Sequence, residues 1–534
     1  LNTLVLTPIP PPTIHSFAHS QFFTSPAIVK TLGQQLWNIL ELPNTLDPCH
    51  LIINTPDSWS QQLPWEWLYH PHIGFLGQHP NYSISRTIPS PNPSLPSFSP
   101  NCPLQLLLFS SQPKWSQLNS EFDRDYLYNT VNPHLCNQTV QLHLPSTGTF
   151  SSLTTLLTRQ SWDLVILTGH STVKQGQFHW IFENSQGHNE AIPVAQLKTL
   201  FQTTTINCLI LAACQTAYPL AYQLAQLGIP TIIAMQGTLL DRAGSVFIQQ
   251  FVQVWLSGLS IHSAVQQARQ ALMHLLKSQE IWQSSESQNW AITQWWRPLL
   301  ITANLPKEHN SQTLFPQKTQ QNGRSIPQNP SFLAHSHTSI PFFGRRQALQ
   351  ILEQSLNSEQ IRGILIKGRA GLGKSSLIWQ LGKILTAQSY RVIHATQVTE
   401  ELLNNRAHTQ FSDKILIWDR NLTANSQWLT QLDHWQSQLP KARLIFSTQD
   451  TQLSLPHFQD YPLGALEYFD FYRYIRYLGF PHSNAQIRAM YQILGGNLQG
   501  IQLLYSLPFY TQPSLFKQQL AVVKRYLQAL SSSL

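Results

Sequence analysis

The chain has 534 residues, enough for roughly two to four folded units with separate cores, and this excludes a disulfide-stapled miniprotein. Hydrophobic residues make up 42% and aromatic residues 11%, but Asp, Glu, Lys and Arg together make up only 11%, where about 25% is usual. Lys plus Arg exceed Asp plus Glu by 33 to 25, a formal charge of +8, yet the basic residues are scattered, which argues against a nucleic-acid partner or a polybasic membrane patch.

The amino-terminal stretch LNTLVLTPIPPPTIHSF lacks a basic n-region and is broken by prolines, so it does not read as a signal peptide. No apolar run approaches the roughly 18 residues of a membrane span, and no membrane partner is expected. Cys49, Cys102, Cys136, Cys208 and Cys214 form no C-x-x-C pair, and an odd, sparse set predicts a reducing, cytoplasmic setting rather than disulfides or a zinc knuckle.

Short apolar runs follow in the order LQLLLFSS (104–111), TVQLHL (139–144), DLVILTG (163–169), NCLILAAC (207–214) and IPTIIAMQG (229–237). Helical patterns fall between them, at 151–160 and at 218–228, the latter closing on Gly228. Continuous apolar strands alternating with helices predict an α/β fold, a mostly parallel sheet covered by helices. In such a sheet the ligand crevice lies beyond the carboxyl ends of the strands, where His170 and Cys214 stand. Side chains at neighbouring strand ends, about 4.8 Å apart, can pair as a catalytic imidazole and thiol. A buried thiol or a hydrogen-bonded strand-end histidine with no catalytic role is the alternative. Cys208, inside its strand, is expected in the core.

These pieces together resemble the CHAT branch of caspase-like cysteine peptidases over most of residues 50–303. LPWEWLYHPHIGFLG (63–77) and YSISR (82–86) are similar to the family's opening segment, DLVILTGHS to its histidine strand, and LILAACQTA to its cysteine strand. The stretch from 232 to 272, beginning IIAMQGTLLDRAG, is similar to the strand, loop and helices that follow. The resemblance implies Cys214 as nucleophile, His170 as general acid/base, and an oxyanion site from the backbone N–H groups of Cys214 and Ser171. The family usually has Gly after the histidine, whereas here Gly169 precedes it and Ser171 follows. Gln236 and Asp241, in and after AMQG, are candidates to line a substrate pocket.

Residues 306–338 are polar, proline-punctuated and aperiodic, which predicts a linker between a domain over 1–305 and another over 339–534. In the latter, GRAGLGKSS places Gly368, Gly371, Gly373, Lys374, Ser375 and Ser376 between a predicted strand (363–367) and a helix. This is the G-x-x-x-x-G-K-S phosphate loop in its required context: backbone N–H groups and Lys374 for the phosphates, and the Ser375 hydroxyl for Mg²⁺. Asp419, ending KILIWD (414–419), is the second expected Mg²⁺ partner. With PFFGRRQALQILEQSL (341–356), ARLIFSTQ (442–449) and ILGGNLQGIQLL (493–504), the region resembles STAND-class NTPases of the NACHT and NB-ARC type, a second α/β P-loop NTPase domain with a helical lid. Arg420 stands where a second acid often follows Asp419, Gln449 where a basic sensor is common, and Leu498 where the lid usually has proline. The aromatic and basic FDFYRYIRYLGF (469–480) reads as a buried helix face with snorkelling arginines rather than as an RNA-stacking surface.

The two resemblances jointly imply a nucleotide-regulated cysteine endopeptidase of bacterial signalling or defence. Its substrate would be a protein or peptide, its cofactors ATP and Mg²⁺, and activation would bring homo-oligomer assembly. The alternative is an ATP-binding interaction scaffold with a non-cleaving caspase-like domain.

Overall fold

The computed structural model describes residues 2–6, 26–42, 46–88, 103–114, 120–137, 139–277, 294–302, 342–358, 361–388, 390–395, 398, 415–419, 422, 431–439, 442–478, 480, 482–506, 518 and 520–525. The chain divides into two units, Leu1–Ile326 and Pro327–Leu534. The expected linker, 306–338, together with Cys102 and Arg420, lies outside the described residues.

The first unit is built on nine strands: β1 (Asn2–Leu6), β2 (Cys49–Asn54), β5 (Ser83–Thr87), β6 (Leu104–Ser110), β7 (Val140–His143), β8 (Trp162–Thr168), β12 (Ile206–Ala212), β13 (Thr231–Met235) and β14 (Pro298–Thr302). The hairpin β3 (Tyr69–His70) and β4 (Gly74–Phe75) and the sheet of β9 (His170–Lys174), β10 (Gln177–Glu183) and β11 (Asn189–Pro193) complete it. The large sheet runs β1-β2-β5-β14-β13-β12-β8-β6-β7. Neighbours are parallel except at β13 and β14, which pair antiparallel with Met235 opposite Pro298. The sheet is therefore two parallel halves running in opposite directions. Every residue of β8, β12 and β13 is buried, so both pleat faces are covered, as a continuous apolar run demands. One face carries Val165, Leu167, Leu209, Leu211 and Ile232 into a core shared with the helices Phe150–Leu157, Val194–Gln202 and Tyr222–Gln226. The last of these stops at Leu227, followed by Gly228 at φ 98°, the left-handed residue that a helix end favours.

The second unit is a five-stranded parallel sheet, β15 (Gly363–Lys367), β16 (Arg391–His394), β17 (Ile415–Asp419), β18 (Arg443–Thr448) and β19 (Phe458–Pro462), in the order β16-β17-β18-β15-β19. The helices Arg346–Asn357 and Lys374–Ala387 pack on it through Leu349, Leu352, Leu377 and Leu381. A separate helical cluster follows. There Phe471, Tyr474 and Ile475 of the helix Tyr468–Tyr477 are buried with Ile487, Met490, Leu494, Ile501 and Leu504. On the same helix Arg476 reaches outward to the hydroxyl of Tyr472 and to Asn484.

Candidate active site

Strands β8 and β12 lie side by side in register, Thr168 opposite Ala212, so the chain leaves both at the same edge. Two residues further on stand His170 and Cys214, both half-buried. His170 does not sit on a free loop: it is the first residue of β9, which turns away to pair with β10. Gly169 makes that departure possible, because a Cβ there would lie 2.7 Å from Nε1 of the buried Trp180. The next residue ties the histidine segment to the cysteine, since the Ser171 hydroxyl donates to the Cys214 carbonyl.

The turn carrying Cys214 is braced from β13 and the loop after it. Gln215 adopts φ 55°, uncommon for a residue with a side chain, and its N–H donates to the Gly237 carbonyl at 2.8 Å. The Thr216 hydroxyl donates to Leu211 O at 2.9 Å and accepts from Met235 N–H at 2.9 Å. The Cys214 sulfur accepts the Leu239 N–H at 3.4 Å and lies 3.8 Å from the Leu239 carbonyl. Cys208 differs: fully enclosed in β12, its thiol is pushed by burial to a pKa of about 12, which leaves it protonated and inert.

Of the expected pocket residues, Asp241 begins the helix Asp241–Leu256 and is exposed. Gln236 does not line an open wall. Its side chain is buried, accepting from Arg86 Nη2 at 3.0 Å and donating to Glu66 Oε2 at 2.7 Å and to Trp296 O at 3.0 Å.

That glutamine belongs to a network that the motifs of the sequence do not predict. Glu66, Arg86 and Arg269 are fully buried, with Glu66 Oε2 2.6 Å from Arg86 and Oε1 3.5 Å from Arg269. Arg86 also donates to Gln61 O and to the Tyr222 hydroxyl, and Arg269 to Pro298 O at 2.8 Å. Burial opposes the Arg86 charge, but Glu66 and Tyr222 outweigh it and hold its pKa above the ordinary value. For Arg269 burial wins over Glu66, and its pKa falls to about 10. The signal was present in the composition. In a chain so poor in charge, a Glu between two tryptophans and an Arg closing the short segment YSISR are unusual enough to mark buried ion pairs.

In the second unit, Gly371 and Gly373 take φ 77° and 88°, and Gly373 caps the helix Lys374–Ala387. Lys374 folds over the loop, donating to the Gly368 carbonyl and to Arg369 O at 2.9 Å; burial lowers its pKa. Ser375 and Ser376 are exposed on the first turn. The loop carbonyls are held from outside it: Asn497 donates to Ala370 O at 3.2 Å, the Leu498 N–H to Gly371 O at 3.0 Å, and Arg345 to Leu372 O at 3.2 Å. Asp419 ends β17 with its Oδ1 3.8 Å from Nε2 of His394, a neighbour the sequence did not indicate. The left-handed glycines and the cation folded over the loop suit a nucleotide phosphate, and the exposed hydroxyl and the Asp419 carboxylate suit the Mg²⁺ that accompanies one. Among the described residues no group of three or more His, Cys, Asp or Glu is arranged to hold a metal, and no helix is long and apolar enough to cross a membrane.

A family model for the CHAT domain matches residues 29–300. No curated protein matches the chain. Among solved structures, a chain of the Saccharomyces cerevisiae separase–securin complex is similar at 15% identity and a TM-score of 0.28, covering 48% of this chain and 15% of that one. AMPPCP-bound DnaA from Aquifex aeolicus is similar at 14% identity and a TM-score of 0.25, covering 34% of this chain and 67% of that one. The Thermotoga maritima RuvB Holliday junction branch migration motor is similar at 13% identity and a TM-score of 0.25, covering 34% of this chain and 70% of that one.

Proposed function

The chain belongs to the CHAT domain family, and from that membership we propose that its first unit is a caspase-like cysteine peptidase acting through His170 and Cys214. The observation that carries the reading is the Ser171–Cys214 hydrogen bond, which holds the two strand-end segments together at one edge of the sheet. His170 takes the Cys214 thiol proton, and the resulting thiolate adds to a peptide carbonyl, forming the C–S bond as the C=O π electrons move to oxygen. His170 then protonates the leaving amine as the C–N bond breaks, and water releases the acyl group from sulfur. The oxyanion is stabilised by the backbone N–H groups of Cys214 and Ser171. Asp241, exposed on the first turn of its helix, contacts the substrate, while Gln236 fixes the chain at the end of β13.

The second unit, a STAND-like P-loop domain over 339–534, binds ATP with Gly368, Gly371, Gly373, Lys374, Ser375 and Ser376, and Mg²⁺ with Ser375 and Asp419. Nucleotide, when bound, supplies the phosphate charge that this loop recognises, and occupancy of the loop controls cleavage and assembly. A non-cleaving, ATP-binding scaffold is the second reading, favoured by Ser171 standing where the family usually has glycine.

One experiment separates the two readings. A peptide library is incubated with wild-type protein and with Cys214→Ala, with and without ATP. The peptidase reading expects cleavage by the wild type alone and a change in its rate on adding ATP. Equal cleavage by both proteins, or none under any condition, sinks the peptidase and leaves the scaffold.

A further inference from the structure

Donors from outside the phosphate loop hold three successive carbonyls of it, those of Ala370, Gly371 and Leu372. The first is held by a side chain: Nδ2 of Asn497 donates to Ala370 O at 3.2 Å, across 127 positions of sequence. Its Oδ1 accepts the Gly500 N–H at 3.0 Å, and that second bond fixes which end of the amide is the donor. The same bond caps the helix Leu498–Ser506, of which Gly500 is the third residue. Asn497 also presses on the loop itself. A Cβ on Gly371 would lie 2.4 Å from its Oδ1 and 2.7 Å from its Nδ2, so only glycine lets the amide approach this closely. Gly495 and Gly496, at φ 56° and 70°, turn the chain out of the helix Asn484–Leu494 and deliver Asn497 to this place. Gly496 is pinned in turn, its carbonyl accepting the Leu466 N–H at 3.3 Å.

A trans peptide is planar, with its C=O and N–H on opposite sides. Holding Ala370 O against Asn497 therefore turns the Gly371 N–H away from Asn497, and Arg345 on Leu372 O does the same for the Gly373 N–H. We propose that Asn497 is a positioning residue of the nucleotide site: it aims the Gly371 N–H at the phosphates of a nucleoside triphosphate and ties occupancy of the loop to the cap of the helix Leu498–Ser506. Asn497 touches no phosphate. Its contribution is to set the loop before the ligand arrives, since an anion met by N–H groups already in place does not have to order them. This rests on the phosphate-loop reading of residues 368–376.

Binding of ATP with Mg²⁺ to the full chain is measured by calorimetry for wild type and Asn497→Ser, and amide hydrogen exchange over 368–376 and 498–506 is followed with and without saturating ATP. Serine keeps an oxygen able to cap the helix but is too short to reach Ala370 O, so capping and positioning separate. Asn497→Ser should weaken ATP binding about tenfold, with thermal unfolding close to that of the wild type. ATP should slow exchange over both stretches in the wild type and over 368–376 alone in the variant. Wild-type affinity in Asn497→Ser, or protection that still reaches 498–506, overturns the proposal. If Asn497→Ser does not fold, Asn497→Asp takes its place, keeping the capping oxygen and the length without the donor. Its charge would by itself repel phosphate, so it is read by exchange alone: protection lost from 498–506 upholds the assignment, and protection retained there refutes it. A wild type that binds no ATP removes the phosphate-loop reading and this assignment together, whereas binding that Asn497→Ser leaves unchanged removes this assignment alone.

Discussion

Glu66 has two arginines on its two carboxylate oxygens, all three charged side chains without exposure to water, and the buried amide of Gln236 as a third donor. Taking such charges out of water is costly, and only their mutual pairing compensates. Removing the single negative charge therefore leaves Arg86 and Arg269 buried and repelling. Glu66→Gln is expected to destabilise the first unit by about 3–5 kcal/mol, measured as a fall in the midpoint of urea unfolding. Arg86→Met in the same background should recover part of that loss, since an apolar side chain of similar length needs no partner. The network joins the LPWEW segment, β5, the end of β13 and the helix Ile261–Lys277, so its loss should also loosen the chain that braces Cys214.

At the scale of elements, the turn from β8 into β9 depends on Gly169. A methyl group there meets Trp180, which is 1% exposed and packed against Phe182, so the indole has nowhere to go. Gly169→Ala should cost about 1–3 kcal/mol and shift tryptophan fluorescence, and in the proposed peptidase it should lower kcat more than it raises KM by moving His170. The helix Ile261–Lys277 brings His262 against His50 on β2, ring centroids 5.0 Å apart. Burial, with His50 and Arg269 nearby, holds the His262 pKa at about 4, against an ordinary value of 6.5. Its folded value is depressed, so the unfolded chain takes up the proton first. Stability is full above about pH 6.5 and declines as pH falls toward about 4, by up to about 3 kcal/mol from this residue. Thermal unfolding from pH 7 to pH 4 should show that decline, and His262→Phe should flatten it.

For the whole molecule, the two sheet-based units call for separate tests. Lys374→Ala should weaken ATP binding by about ten- to a hundredfold in calorimetry on the full chain, with the unfolding of the first unit unchanged. Unchanged affinity would remove the phosphate-loop reading. Much of this organisation was legible in the sequence for a local reason. Buried parallel strands are short runs without alternation, and the phosphate loop is a contiguous motif, so β6, β8, β12, β13, β15, β17 and β18 appear within a residue or two of where the apolar runs predict them. Adjacency was only partly legible: that β8 neighbours β12 follows from α/β topology, whereas the reversal at β13 and β14 depends on a strand reached through residues far along the chain. Gln236 marks the boundary. Its place in AMQG suggested a residue lining a substrate pocket, but its two amide atoms meet Arg86 and Glu66, 150 and 170 residues away. The sequence by itself determined the α/β class, the phosphate loop and the two residues proposed for catalysis, because each is written in neighbouring positions. Only the tertiary structure decided the buried charge network and the bracing of Cys214, because pairing in a dry interior is a property of distances between remote segments.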